Sequence, residues 1–283
     1  MDAKKNIVLV PTDFTEVAEY ATEHAVGICK LQGAKLTLLH IINKETKSYL
    51  KKEKLTGSAI YERLEKKAKE LIDKYSIEVD YIVRKGSIFS EIGDAAKEIG
   101  ASMLTLGTHG KVGVQHIVGS YAMKVIVNSP SPVIVVQKRG FRDGYKNVVL
   151  PIDDSMESKQ KVKWAIYIAK KFNSKVRIFA MHSSDSYRMA KIKGNLLQIK
   201  KFFDQNGIAY TYEIAEKNGA FPKQILNYSQ SIDADLILIM TNPDNIMPSF
   251  IIGKWEEQIL FNDFLIPIMA INPIELSIVV GGM

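Results

Sequence analysis

The stretch SMLTLGTHGKVGVQHIVGSYAMKVIVNSPSPVIVV (residues 102–136) decides how the chain is read. It opens on a short apolar run and crosses a segment holding Gly107, Gly110, Gly113 and Gly119. It then enters a helical pattern from about Ser120 to Asn128 and closes on a second apolar run. Short, continuous apolar runs rich in β-branched residues read as strands buried on both faces. Glycine is costly to order, so four within thirteen residues ask for a reason. One reason is a backbone that must approach a ligand closely, with amides pointing at an anion. The other is a plain turn, and the residues alone leave both open.

The same alternation extends outward. NIVLVPTD (6–13), KLTLLHII (35–42) and EVDYIVRKG (78–86) read as further strands. Between them EVAEYATEHAVGICKL (16–31) sets Val17, Tyr20, Ala21, His24, Ala25 and Ile28 on one helical face. IYERLEKKAKELIDKY (60–75) reads as a helix, and FSEIGDAAKEIG (89–100) as one that ends at its glycine. Strand–helix alternation with strands this apolar predicts an α/β fold, a parallel sheet with helices on both faces. Ligands of such sheets sit at the carboxyl ends of the strands.

The pattern then repeats. NIVLVPTDFTEVAEYA at residue 6 is echoed by NVVLPIDDSMESKQKV at 147, and Leu39-His40 by Met181-His182. EIGDAAKEIGASMLTLG (91–107) aligns with QILNYSQSIDADLILIM (224–240), and SPVIVV (131–136) with IPIMAI (266–271). A tandem duplication follows, with domains at 1–140 and 141–283 and a boundary in KRGFRDGYKN (138–147).

Bulk properties narrow the function classes. Length 283 suits two domains, and 46% apolar residues suffice for real cores. The single cysteine, Cys29, excludes an intrachain disulfide and reads as a buried thiol. MDAKKNIVLVPTD carries too short an apolar run for a signal peptide, and no segment is long and apolar enough to span a bilayer. The expectation is a cytoplasmic protein without membrane contact. The net charge of +7 is diluted by interleaved glutamates, as in NKETKSYLKKEKL (43–55), so nucleic-acid binding is not expected. The five histidines show no metal-ligand spacing.

At the strand ends, Asp13 follows the first strand behind Pro11 and Thr12. A carboxylate there either caps the next helix or accepts hydrogen bonds from a ligand. Gly119-Ser120 opens a helix, whose first amides are unpaired donors at the positive end of a dipole. His109 and Lys111 add charge nearby. The loop matches neither a Walker A motif nor the dinucleotide glycine fingerprint.

With VLVPTDF, LLHII, KGSIFSEI and GTHG…GSYAMKVI…SPVIVV in place, the chain resembles the universal stress protein family in its tandem form, over nearly its whole length. The resemblance implies two five-stranded parallel α/β sandwiches of the adenine nucleotide alpha hydrolase-like type, strand order 3-2-1-4-5. It implies ATP, with Mg, at the first half's strand ends, in stress response or signalling. Carried over, Pro11, Thr12, Asp13 and the backbone of Ile41 meet the base and ribose. Gly107, His109, Gly110, Gly119, Ser120 and Tyr121 surround ribose and phosphates. The family spacing is Gly-x2-Gly-x9-Gly-Ser/Thr, and here only eight residues separate Gly110 from Gly119, which puts the phosphate grip in question.

In the second half Asp153 survives, but Met240, Thr241, Asn242 and Pro243 replace the early glycines, and Lys254 follows Gly253. That half is expected to be structural, an intramolecular pseudo-dimer partner whose IPIMAI strand faces the fifth strand of the first. Thr241 is expected to be without effect on the first site. Hydrolysis, if any, is expected to be slow. The alternative reading is a non-nucleotide interaction scaffold acting through dimerisation, including a homodimer. The apolar close IELSIVVGGM (274–283) reads as an added strand, an interface cover or core.

Overall fold

The structure is a computed structural model that describes residues 6–108, 117–155, 157–217, 219–241 and 255–273. His109, Gly110, Lys111, Gly113, Asn242, Pro243, Gly253, Lys254 and the 274–283 tail lie outside these residues.

The first half runs β1 (Ile7–Pro11), α1 (Glu16–Gln32), β2 (Lys35–Ile42), α2 (Lys44–Lys52), α3 (Ser58–Tyr75), β3 (Val79–Lys85), α4 (Ile88–Ile99), β4 (Met103–Gly107), α5 (Ile117–Asn128) and β5 (Val133–Val136). The second runs β6 (Asn147–Ile152), α6 (Lys161–Phe172), β7 (Lys175–Ala180), α7 (Ser186–Gln205), β8 (Tyr210–Ile214), α8 (Phe221–Ser231), β9 (Leu236–Met240), α9 (Trp255–Leu260) and β10 (Ile268–Ile271). All ten strands form one sheet in the order β3-β2-β1-β4-β5-β10-β9-β6-β7-β8. Within each half the pairing is parallel and the order is 3-2-1-4-5, as the resemblance implied.

The halves meet strand to strand. β10 runs antiparallel to β5, with Ile268 opposite Val135, Met269 opposite Ile134 and Ala270 opposite Val133. All eight residues of the two strands are buried. Side chains alternate across the pleat, so Val8 and Val148 join one core layer while Leu9 and Val149 join the other. Each layer runs through both halves.

Helix ends follow the local sequence. Gly33 and Gly100 close α1 and α4 in the left-handed conformation, and Asn173 and Ser76 do the same for α6 and α3. One element is added to those read from sequence, and two expectations change. The charged stretch at 43–55 forms α2, capped by Asn43, whose side chain accepts from the Thr46 amide. α5 begins at Ile117, three residues before Ser120, so Gly119 and Ser120 lie in its first turn and Ser120 is not its cap. The ladders pair Ile7 with Lys35 and Asn147 with Lys175, a spacing of 140 between halves. His40 therefore matches Ala180, and His182 lies beyond the strand rather than at the equivalent position.

The 138–147 segment is a packed junction. Gly27 on α1 lets Phe141 lie flat against the helix, because a methyl there would sit 2.0 Å from the ring. Phe141 meets His24, Tyr145 and Phe172 in an aromatic cluster, with centroids 5.3 to 6.1 Å from Phe141. His24 Nδ1 is 2.8 Å from the Tyr145 hydroxyl and Nε2 is 2.9 Å from the Arg139 carbonyl. A carbonyl only accepts, so Nε2 carries the proton and Nδ1 accepts from Tyr145. Arg139 and Arg142 pair with Asp233 across the seam. Cys29 is buried, and burial pushes its thiol up to about 12, leaving it inert.

Burial lowers the His24 pKa to about 4, outweighing the hydrogen bond to the Arg139 carbonyl that opposes the shift. Between its ordinary value near 6.5 and about 4 the unfolded chain binds the extra proton, so stability falls as pH drops through that window. At about 1.4 kcal/mol per pH unit the loss approaches ~3 kcal/mol. Denaturant titrations at pH 7 and pH 4 are expected to show His24→Gln losing less stability than the parent over this interval.

Candidate functional site

A cleft of about 500 Å³ opens at the carboxyl ends of β1, β2 and β4, at the point where strand order reverses. This volume is in the ~300–1,000 Å³ range of small-molecule sites. Its floor is apolar: Leu39, Ile41, Ile88, Ile92, Leu106 and Val125. Pro11, Thr12, Asp13, Ile41 and Gly107, all chosen from sequence, line it together. Ala122 and Val125 bring α5 to the same wall, which places Gly119, Ser120 and Tyr121 in the turns of α5 that lead up to the cleft. His109 and Gly110 fall outside the described residues.

Each chosen residue has a local job. Asp13 Oδ1 accepts from the Thr15 amide at 3.0 Å and the Thr15 hydroxyl at 2.6 Å. The carboxylate thus organises the turn into α1 by holding Thr15, the N-cap residue, rather than by capping the helix itself. Its second oxygen accepts no hydrogen bond among the described residues, and the side chain is exposed. Thr12 is buried; its hydroxyl accepts from the Phe14 amide and its carbonyl from His40. Ile41 stands past the last β1–β2 pair, Pro11 with Leu39, so its backbone is flanked by β3 alone. Gly107 has a packing reason. A methyl there would lie 2.4 Å from the Val17 carbonyl oxygen, because the first turn of α1 rests on the end of β4.

Four lining groups were not read from sequence as site residues. Phe14 sits at φ +64, the left-handed region that costs a side-chain-bearing residue roughly 1–2 kcal/mol. Its ring stacks on His40 at 5.1 Å between centroids, and the Arg63 guanidinium lies over it at 4.0 Å. The sequence signal for Arg63 is that it stands alone as an arginine among the lysines of 43–83. His40 Nδ1 donates to the Thr12 carbonyl at 2.8 Å, and Nε2 faces the Thr46 hydroxyl at 3.1 Å. Burial lowers its pKa, so the ring is neutral at pH 7 with its proton on Nδ1. Thr108 is buried at the cleft wall, and its hydroxyl has no hydrogen-bond partner among the described residues.

The second half fills the corresponding space with itself. At the spacing of 140, Leu39 becomes Phe179; at 133, set by the β1–β4 and β6–β9 ladders, Ile88 becomes Phe221 and Ala95 becomes Tyr228. The Phe179 ring stacks on Phe221 at 5.9 Å and on Tyr228 at 4.6 Å. Asp153 keeps the Asp13 turn, with Oδ1 accepting from the Ser155 amide and hydroxyl and from the Ser158 hydroxyl. Beneath it lies Lys161 where the first half has Ala21, and its ammonium donates to the Pro151 carbonyl at 2.6 Å. Burial alone would raise the Asp153 pKa; the Lys161 charge and the serine hydroxyls outweigh it and hold the carboxyl below its ordinary value. Asn195 donates to the carbonyls of Asp153 and Ser155. Met240 replaces Gly107 where the first turn of α1 has become a 3-10 turn, Glu157–Lys159, and α6 starts only at Lys161.

Gly107→Ala is therefore expected to destabilise the folded protein by about 1–3 kcal/mol, since its methyl meets backbone that cannot rotate away. Equilibrium urea unfolding measures it, and an unchanged midpoint would contradict the packing account.

The comparisons with known proteins agree with this geometry. The model of the universal stress protein family matches residues 5–137 and again residues 144–260. Universal stress protein MJ0577 of Methanocaldococcus jannaschii is 31% identical over 155 residues, covering 47% of this chain and 94% of that protein. Universal stress protein MJ0531 of the same organism is 28% identical over 138 residues, 46% of this chain and 81% of that one. The crystal structure of a universal stress protein from Archaeoglobus fulgidus superposes with a TM-score of 0.77 at 20% identity, covering 96% of this chain and 98% of that chain. With its family pattern present once in each half, the chain belongs to the universal stress protein family.

Proposed function

We propose that this protein binds an adenine nucleotide, ATP with Mg, in the first-half cleft and there alone, and acts in stress response or signalling. The observation that carries the reading is the inequality of the two halves. One cleft is open, apolar at its floor and ringed by under-used polar groups. Its counterpart is filled by Phe179, Phe221, Tyr228 and the Lys161–Asp153 couple.

The residues present fit such a ligand. A base has an apolar floor in Leu39, Ile41 and Ile88, and the stacked Phe14–Arg63 pair at the wall. The free Asp13 oxygen accepts from a ribose hydroxyl or an amino group. The orphaned Thr108 hydroxyl gains a partner on binding, which offsets the roughly 1–3 kcal/mol that an unmade buried hydrogen bond costs. The first-turn amides of α5 have no intrahelical acceptor and sit at the positive end of the helix, which suits phosphates. Magnesium, when bound with the nucleotide, would neutralise phosphate charge.

Among the described residues, the buried histidine of the cleft is not placed as a base for hydrolysis. His40 is a neutral ring whose Nδ1 is spent on a carbonyl and whose Nε2 faces Thr46, so it is not free to take a proton from water. Turnover is accordingly slow in this reading. The scaffold alternative loses its natural surface, because the β5 edge is already paired with β10 inside the chain.

Calorimetry of nucleotide-stripped protein with Mg-ATP tests the proposal. Saturable heat with one site per chain is expected. Leu39→Phe with Ile88→Phe, which copies the second half's plug, is expected to abolish it, as is a bulky residue at Gly110. Absence of heat and of any thermal shift at millimolar ATP would sink the reading.

A further inference from the structure

Asn272 lies in the second half, just beyond β10, yet its amide serves a helix of the first. Its Nδ2 is 2.8 Å from the Ile126 carbonyl, 3.1 Å from that of Val127 and 2.8 Å from that of Ser129. Ile126 and Val127 are in the last turn of α5, where carbonyls have no intrahelical donor. The amide's orientation is fixed by chemistry: turned over, its oxygen would face three carbonyls. Its Oδ1 instead accepts from the Thr241 hydroxyl.

The seam is reciprocal. β5 and β10 correspond at a spacing of 135, so Gln137 is the counterpart of Asn272. Gln137 Nε2 donates to the Asn262 carbonyl at 2.9 Å, two residues past the end of α9. Each half therefore holds the chain that leaves the final helix of the other, but Asn272 reaches carbonyls of the helix itself, whereas the α9 end is met by Asn262, whose Nδ2 donates to the Ile259 carbonyl. The two contacts differ in what lies at the far end. α9 belongs to the half whose cleft is filled. α5 carries Gly119 and Ser120 in its first turn and lines the open cleft through Ala122 and Val125.

We propose that Asn272 is a positioning residue for the first-half site: by holding the carboxyl end of α5 it sets where the amino-terminal turn presents its amides to phosphate. The proposal rests on the nucleotide reading above. α5 has twelve residues, a rod of roughly 18 Å at 1.5 Å per residue, so a shift at one end is felt at the other. It is seated by buried Ala122, Val125 and Ile126. Its end also presses on α4, where a methyl on Gly93 would lie 2.7 Å from the Asn128 carbonyl oxygen. Thr241, set aside on sequence grounds, enters the site's support through Asn272.

The test compares Asn272→Leu with Gln137→Leu in the full chain, reading Mg-ATP affinity by calorimetry and amide exchange along α5 by mass spectrometry. Both variants delete a side-chain hydrogen bond across the same seam. Asn272→Leu is expected to weaken Mg-ATP about tenfold and to speed exchange in residues 118–121, while Gln137→Leu does neither. Equal effects from the two, or no effect of Asn272→Leu on α5, would overturn the proposal. Should Asn272→Leu fail to fold, Thr241→Val leaves the amide in place but unaimed, and about threefold weaker binding is expected; unchanged binding counts against the role. If the parent binds no ATP, the nucleotide reading fails by itself. The exchange comparison in ligand-free protein then still decides whether Asn272 holds the first turn of α5.

Discussion

Everything in this fold leans on the antiparallel contact of β5 and β10. Two strands of four residues each, all buried, join two parallel sheets into one of ten strands. An exposed edge made of VIVV would be a template for unwanted pairing, and here the chain supplies its own partner. The same contact lets both core layers pass from one half to the other. It also brings Asn272 to the end of α5 and Gln137 to the Asn262 carbonyl just past α9. The aromatic junction around His24 and Tyr145 fastens the connecting segment to the middle of α1 and the end of α6.

Two copies of one architecture have reached opposite answers to the same packing problem. A crevice forms where the strand order reverses, and a chain either leaves it for a ligand or fills it. The first half leaves it open and accepts an unpaired threonine and a left-handed phenylalanine at its wall. The second fills it with aromatic area and with a buried lysine that neutralises the surviving aspartate. Burying a charged lysine is tolerable because the Pro151 carbonyl and Asp153 both meet it.

Much of this was legible in the sequence because the signals are local. Apolar runs marked the strands, Gly33 and Gly100 marked helix ends, and DFTE marked the turn into α1, where Asp13 holds Thr15, the residue at the N-cap. The repeat supplied the doubling, and PVIVV with IPIMAI foretold which strands would meet. What escaped depends on tertiary register. The echo of Leu39-His40 in Met181-His182 is a likeness of letters that the ladder does not honour, and it hid Phe179 as the true counterpart of Leu39. Arg63 and Phe14 lie far apart in sequence and meet only through the packing of α3 against the β1 end. The packing duty of Gly107 is invisible without the path of α1.

The internal pairing of β5 with β10 has a consequence for how the molecule responds to dilution. Separate single-domain chains joined along such an edge part as their concentration falls. Here the partner is tethered, so its effective concentration is set by the chain itself. The seam, and with it the cap on α5, is equally complete in a nanomolar and a millimolar solution.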